Sequence, residues 1–294
     1  MKNILIYGGT GWLGRATLSY FENNYDQFSI TLVSSINKSF TFKDKVYKTL
    51  SASQFKNLEG LNFDYFFNYS FLTGNKVNSL SKKEYISETD QMIEATNSFI
   101  YKNQIKNALL TSSGAVYWKN TDKETAYSIQ KNKQEHEFTK TCTDMNVNYS
   151  IARIFGVLAK QYNFNFKYAF TDFLYQAKNI KSIKIDSPNK VIRSYLIFED
   201  LLEYFMKSEE SLTFDAWNKN LDIYNLAELI SKIYECPLHV SDEYFINKTD
   251  NHYISEDFYF MNLFKKSTEA IIENRITEII KYTEHKDNQI EYLG

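Results

Sequence analysis

Four of the chain's nine glycines, Gly8, Gly9, Gly11 and Gly14, fall within seven residues, directly after the apolar run Ile4, Leu5, Ile6 and Tyr7. A strand that ends in so dense a glycine turn just before a helical pattern brings backbone N–H groups up to a helix N-terminus, where a pyrophosphate is well received. A nucleotide cofactor is therefore expected. Gly9, Gly11 and Gly14 satisfy G-x-G-x-x-G, and Gly8, Gly11 and Gly14 satisfy G-x-x-G-x-x-G. Either register needs a βαβ setting. The sequence offers one: a strand over 1–7, a helix over 15–24 and a second strand over 30–33.

The alternation continues. Residues 46–50 read as a third strand and 63–71 (FDYFFNYSF) as a fourth, 82–103 has helical spacing, and 107–111 (NALLT) returns as a strand. A second long helix is predicted over 126–141 and a strand over 147–154. Short apolar runs alternating with longer helical patterns predict an α/β fold, a doubly wound parallel sheet of the Rossmann type, occupying residues 1–155. Beyond Gly156 the alternation becomes irregular and rich in aromatic residues. Residues 156–294 are expected to form mainly a smaller C-terminal substrate-binding lobe, with some segments returning to the first domain. No Pro/Gly/Ser linker separates the two. Near the end, residues 267–282 place Ala270, Ile271, Ile276, Ile279 and Ile280 at helical spacing on a core-facing side.

Composition narrows the chemistry. A formal charge of −2 gives no positive field for nucleic acid and no basic tail for a membrane surface, so a small-molecule partner is expected. The two cysteines lie far apart and the four histidines show no ligand spacing, so neither a disulfide framework nor a metal site is predicted. The first residues suit a strand rather than a signal peptide, and no long uncharged apolar run is present; cytoplasmic residence is expected. Aromatic residues make up 17% of the chain without an accompanying basic face, so the rings are assigned to the core.

The NALLT strand runs into Ser112-Ser113-Gly114-Ala115-Val116-Tyr117, and fourteen residues past Ser113 stands Tyr127-Ser128-Ile129-Gln130-Lys131. Residues four apart share a helix face, so Tyr127 and Lys131 point the same way. A phenol of pKa about 10 beside an ammonium ionises more readily, which equips Tyr127 to exchange a proton with a carbinol or carbonyl near neutral pH. Alone, Y-x-x-x-K in a chain this rich in both residues describes a solvated helix face. Its position after a serine at a strand's carboxyl end, with a glycine turn on the first strand, is what gives it meaning.

Here the chain resembles the extended short-chain dehydrogenase/reductases, in the nucleotide-sugar epimerase/dehydratase/reductase group. YGGTGWLG resembles the family's cofactor loop, TSSGAVY its serine segment, YSIQK its catalytic pair, ARIFG the strand that follows, and the run Arg193 to Leu201 its R-x-x-x-x-V-x-D-L segment. The five segments stand in the family's order through most of the chain. The resemblance implies that Tyr127 is the proton donor or acceptor at the sugar carbon, that Lys131 holds the nicotinamide ribose and lowers the pKa of Tyr127, and that Ser113 rather than Ser112 binds the reacting oxygen. It implies a cofactor lining of Gly8, Thr10, Gly11, Trp12, Leu13, Gly14, Leu50, Ser70, Tyr127 and Lys131. It also implies that Arg193 grips the substrate's diphosphate, and that a homodimer forms, as family members often do.

Departures from the family select among its reactions. Family dehydratases carry Asp-Glu directly after the active hydroxyl residue, and this chain has Gly114 and Ala115, which argues against dehydration. The segment from Ser113 to Tyr127 is shorter than in most epimerases, which favours reduction; Trp118 stands at a usual glycine position with no role assigned. The second strand ends Val33-Ser34-Ser35-Ile36-Asn37-Lys38, without the acidic residue that binds an NAD ribose. Ser34, Ser35 and Lys38 suit the 2′-phosphate of NADP instead, while NAD stays open; the family's adenine-contacting Asp is replaced by Thr49-Leu50. The expected function is an NADP(H)-dependent reductase of a 4-keto nucleotide sugar. The alternatives are an NAD-dependent nucleotide-sugar 4-epimerase and, from a different class, a dinucleotide-binding sensor without catalysis.

Overall fold

A computed structural model describes residues 1–22, 25–35, 37–42, 45–73, 79–162, 168–246, 251–263, 269–284 and 291–293. The chain divides into two compact units. The first comprises residues 1–153, 202–214 and 289–294, and the second comprises 154–201 and 215–288.

The first unit is built on a mostly parallel sheet. Its strands are β1 (Lys2–Tyr7), β2 (Phe28–Ser34), β3 (Ser39–Phe42), β4 (Lys45–Ser51), β5 (Asn62–Asn68), β6 (Gln104–Ser113) and β7 (Asn148–Ile154). With β11 (Leu212–Ala216) and β15 (Glu291–Leu293) the order is β11-β7-β6-β5-β1-β2-β4-β3-β15. The run β4-β2-β1-β5-β6-β7, with β1 parallel to both β2 and β5, forms the doubly wound parallel sheet that the alternation predicts. The strand order reverses at β1, and there the glycine turn leaves the sheet.

Three local differences from the sequence pattern stand out. β3 pairs antiparallel with β4, an added hairpin at the sheet's edge that the pattern did not reveal. The first helix begins at Trp12 rather than Arg15 and ends at Phe21; the predicted residue Asn24 lies outside the described residues. β5 stops at Asn68, three residues before the predicted end. There the Asn68 side chain bonds Thr96 at 3.1 Å and accepts from the Ser70 N–H at 3.2 Å, which turns the chain off the sheet.

Two long helices, Lys82–Lys102 and Ala126–Asp144, pack on this sheet, and each starts with a capping box, from Ser81 and from Thr125. The core between helices and sheet is aromatic: Phe55 and Phe66 lie 4.7 and 4.9 Å from the Phe99 ring. These rings are almost wholly buried, consistent with the apolar run of β5.

The second unit is organised around β10 (Val191–Ile197), which pairs antiparallel with β12 (Lys219–Asp222) and parallel with β14 (Asn251–Tyr253) and β8 (Gly156–Leu158). A two-stranded piece joins β9 (Ile183–Ile185) to β13 (Leu238–Val240). Asp200 is buried and accepts from Asn218 at 2.7 Å and from both terminal nitrogens of Arg275. The helix predicted over 267–282 runs from Glu269 to Glu284, with Ile276, Ile279 and Ile280 buried; the side chains of Ala270 and Ile271 lie outside the described residues. Among the described residues no helix is long and apolar enough to cross a membrane.

Candidate active site

The glycine turn is shaped by two glycines that have no substitute. Gly8 adopts φ +91°, a conformation L side chains rarely take, and a Cβ there would come within 3.1 Å of the Ser70 nitrogen. At Gly14 a Cβ would lie 2.5 Å from the Gly8 carbonyl oxygen and 2.6 Å from the Gly9 Cα, so the first helix turn can sit against the loop only without a side chain. The N–H groups of Gly8 and Gly9 donate to the Val33 carbonyl at 3.0 and 2.9 Å, and Gly11 N–H to the Gly8 carbonyl at 2.9 Å. Gly11 is the N-cap of the Trp12–Phe21 helix and offers no side-chain cap. The first-turn amides and the positive end of the helix dipole therefore face the loop with no cap from Gly11. The positive φ of Gly8 favours the G-x-x-G-x-x-G register, while Gly9 and Gly11 are equally crowded, an added Cβ coming within 3.1 Å of Leu32 and of the Gly8 carbonyl oxygen respectively. The cradle fits a dinucleotide's pyrophosphate by shape and by donor chemistry.

Thr10, Gly11 and Leu13 are partly exposed around this turn, whereas Trp12 is buried. Ser70 passes against Gly8, as the close Cβ approach shows. Its neighbour Tyr69 donates its N–H to the Tyr7 carbonyl at 2.9 Å and shares a 2.8 Å hydrogen bond with Thr17 on the first helix. The segment after β5 is thereby fixed beside the glycine turn.

The same segment reaches Lys131 through Phe71. The Lys131 ammonium lies 3.9 Å from the centroid of the Phe71 ring, and that ring stands edge-to-face with Tyr127, centroids 6.0 Å apart. Lys131 is buried on the helix Ala126–Asp144, where it donates to the Thr111 carbonyl at 3.0 Å and to Gln134 Oε1 at 2.9 Å. Burial pulls its pKa down to about 7, against the Glu135 carboxylate, which raises it. Thr111 stands two residues before Ser113, whose Oγ accepts from the Ala115 N–H at 3.2 Å and opens the short helix Gly114–Trp118. Asn132 then donates to the Val116 carbonyl at 2.9 Å. Two hydrogen bonds from the Tyr/Lys helix therefore bracket the serine segment, one on each side of Ser113. Ser112 is buried, and its hydroxyl has no partner among the described residues. Trp118 ends this short helix, its carbonyl accepting from Thr121.

Phe71, Glu135 and Arg153 were not singled out by sequence. Arg153 on β7 binds Glu135, one helical turn beyond Lys131, and also donates to the Tyr117 hydroxyl at 3.0 Å. Their only sequence signal was the four-residue spacing from Lys131 to Glu135 and the arginine in ARIFG.

At the end of β2, Ser34 is buried and shares a 3.2 Å hydrogen bond with Thr49, while Ser35 and Lys38 are exposed. Lys38 is held through its main chain, its N–H donating to Thr49 Oγ1 and its carbonyl accepting from the Thr49 N–H, both at 2.9 Å. Ile36 lies outside the described residues. Leu50 stands opposite Val33 in the β2–β4 pairing and packs on the core. Arg193 belongs to the second unit, on β10. There it donates to the carbonyls of Ile192 and Asn251 at 2.9 and 2.8 Å, and burial lowers its pKa.

Residues 4–219 match the model of a family described as the NAD-dependent epimerase/dehydratase family. No curated protein matches the sequence. Among solved structures, UDP-N-acetylglucosamine 4-epimerase from Methanobrevibacter ruminantium M1, in complex with UDP-N-acetylmuramic acid, superposes with a TM-score of 0.70 at 19% identity, covering 96% of this chain and 97% of that one. UDP-N-acetylglucosamine 4-epimerase from Bacillus cereus gives 0.69 at 17% identity, covering 97% and 100%. UDP-glucose 4-epimerase from Thermotoga maritima gives 0.66 at 13%, covering 95% and 98%. At these identities the likeness is one of fold.

Proposed function

This chain belongs to the NAD-dependent epimerase/dehydratase family, and within it we propose a reductase that acts on the C4 keto group of a nucleotide-activated deoxysugar, with NADPH as hydride donor. The observation that carries this proposal is the bracketing of Ser113 by the helix of Tyr127 and Lys131, through Lys131 to Thr111 and Asn132 to Val116. Ser113 donates a hydrogen bond to the carbonyl oxygen, and Tyr127 delivers the proton that turns the emerging alkoxide into a carbinol. The Lys131 charge lowers the pKa of Tyr127 and so eases that transfer. Gly114 and Ala115, both buried, leave no acid and base next to Ser113 for water loss.

NADPH rather than NADH is supported by the end of β2, where the exposed Ser35 and Lys38 would hold a 2′-phosphate and the strand end Val33-Ser34-Ser35 carries no carboxylate to repel it. The first-helix turn, Thr10 to Gly14, together with Ser70, would hold the pyrophosphate side of the cofactor, and Arg193 the substrate's diphosphate. The proposed setting is the cytoplasm, which suits the free cysteines Cys142 and Cys236.

The test is NADPH consumption by the purified protein with a panel of 4-keto-6-deoxy nucleotide sugars, alongside Tyr127→Phe. Turnover by the wild type is expected, with a loss of about 100-fold or more in the variant and NADPH binding retained. Full turnover in Tyr127→Phe would overturn the mechanism, and tight NADPH binding with no turnover on any sugar would point to a sensor. A second reading, an NAD-dependent 4-epimerase, is favoured by the family's description and by the 4-epimerases among structures of similar fold. Copurified NAD, no NADPH consumption and interconversion of C4 epimers would select it.

A further inference from the structure

Lys131 is a cation in surroundings that disfavour one. It is 3% exposed, and its two hydrogen bonds end on neutral acceptors, the Thr111 carbonyl and the Gln134 side-chain amide. A buried ammonium without a carboxylate partner tends to lose its proton. The remaining side of the ammonium meets the Phe71 ring at 3.9 Å, well inside the range over which the negative face of an aromatic ring attracts a cation. The ring also stands at 75° to Tyr127, so one side chain touches both members of the pair.

We propose that Phe71 is a positioning residue, whose ring face keeps the Lys131 ammonium charged and fixed one helical turn from Tyr127, in the place where a carboxylate would otherwise be needed. The proposal rests on Tyr127 and Lys131 being the reacting pair. Phe71 reaches this place because the chain turns at Asn68, and a ring that would have continued β5 is carried to the helix instead.

Among the described residues the other charged and titratable groups near Lys131 include one carboxylate, Glu135, which favours the ammonium from one helical turn away without bonding it. On its own helix stand Tyr127 one turn before and Glu135 one turn after, and Glu135 is held by Arg153 from β7. β6 contributes the uncharged Thr111 carbonyl. The segment after β5 contributes Phe71 and the Tyr69 phenol, which is bonded to Thr17.

The test compares the full-length wild type with Phe71→Leu, which keeps an apolar side chain but removes the ring face, and Phe71→Trp, which supplies a stronger one. The Lys131 titration is followed by NMR of 13Cε-labelled lysine, with Lys131→Arg identifying the resonance. Phe71→Leu is expected to lower the midpoint by about one pH unit and Phe71→Trp to restore it, with the alkaline limb of kcat moving in step. A leucine-variant midpoint equal to the wild type's, or a tryptophan-variant midpoint as low as the leucine variant's, overturns the proposal. The midpoint is read without turnover, so failure of the catalytic assignment, seen as full activity in Tyr127→Phe, is distinguishable from failure of this one.

Discussion

Arg153 holds Glu135 by three hydrogen bonds, from Nε to both carboxylate oxygens at 3.0 and 3.2 Å and from Nη2 to Oε2 at 2.7 Å. The pair joins β7 to the helix that carries Tyr127 and Lys131, and through the Tyr117 hydroxyl it also reaches the short helix after Ser113. The side chains are only 24% and 10% exposed, so removing one partner leaves the other charge inside the protein. Arg153→Leu is expected to lower unfolding stability by about 3 kcal/mol, and the double variant Arg153→Met with Glu135→Leu to recover most of it. Urea denaturation of the single and double variants measures both; a single-variant loss below about 1 kcal/mol would mean that the pair behaves as a surface contact.

The glycine turn makes a stricter demand. At Gly14 the added methyl of alanine would meet backbone atoms at 2.5 to 2.6 Å, and backbone cannot yield as a flexible side chain can. Gly14→Ala should therefore separate the first helix turn from Gly8 and Gly9, costing about 1–3 kcal/mol of stability and abolishing measurable dinucleotide binding. Gly60 provides the control, because its Cβ would meet nothing within 4 Å although its φ is +68°. Gly60→Ala is expected to lose stability through backbone strain alone, about 1 kcal/mol, with dinucleotide affinity unchanged. Calorimetric titration with NADPH compares the two, and equal affinities would contradict the role given to Gly14.

The glycine turn, the alternation that builds the parallel sheet, and the placing of Ser113 at a strand's end with Tyr127 and Lys131 on the next helix were legible because each has a local signature: glycine density, apolar periodicity and four-residue spacing. What escaped depends on contacts between distant segments. The FDYFFNYSF run reads as one strand through Phe71, but the Asn68 side chain captures the Ser70 N–H and ends it early. No local pattern reveals that the freed ring then faces Lys131. The β3–β4 hairpin escaped because the four residues Ser39–Phe42, with only two buried phenylalanines, give a weak alternation for an edge strand. The Glu135–Arg153 pair brings together residues 18 apart in sequence, joined by neither strand register nor helix spacing.

Cofactor preference can be tested at the end of β2. Thr49 bonds both the N–H and the carbonyl of Lys38, so the exposed ammonium is carried on a fixed stretch of main chain, whereas Ser34 is turned inward to Thr49. A cation on a pinned backbone is suited to a phosphate, with the charge supplying most of the interaction. Lys38→Ala is expected to raise KM for NADPH by about tenfold and to leave KM for NADH unchanged. Steady-state kinetics with both nucleotides decides it, since parallel changes in the two values would remove Lys38 from the 2′-phosphate.

Lys131 links the site to the stability of the fold. An unfolded lysine titrates near 10.4, whereas burial brings the folded group down to about 7. Between those values the unfolded chain binds more protons than the folded one, so the lysine's contribution to stability rises with pH across about 7 to 10. Below 7 both states are charged and the burial penalty is present in full and constant. The difference in unfolding free energy between the wild type and Lys131→Met should therefore be flat from about pH 5.5 to 6.5 and then shift in favour of the wild type by on the order of 3 kcal/mol by pH 10. Urea titrations of both proteins across that range measure it, and the comparison cancels every other titrating group. A flat difference would show that Lys131 keeps an ordinary pKa. The predicted rise would show that burial holds the folded Lys131 pKa near neutral pH, against the preference of the free side chain.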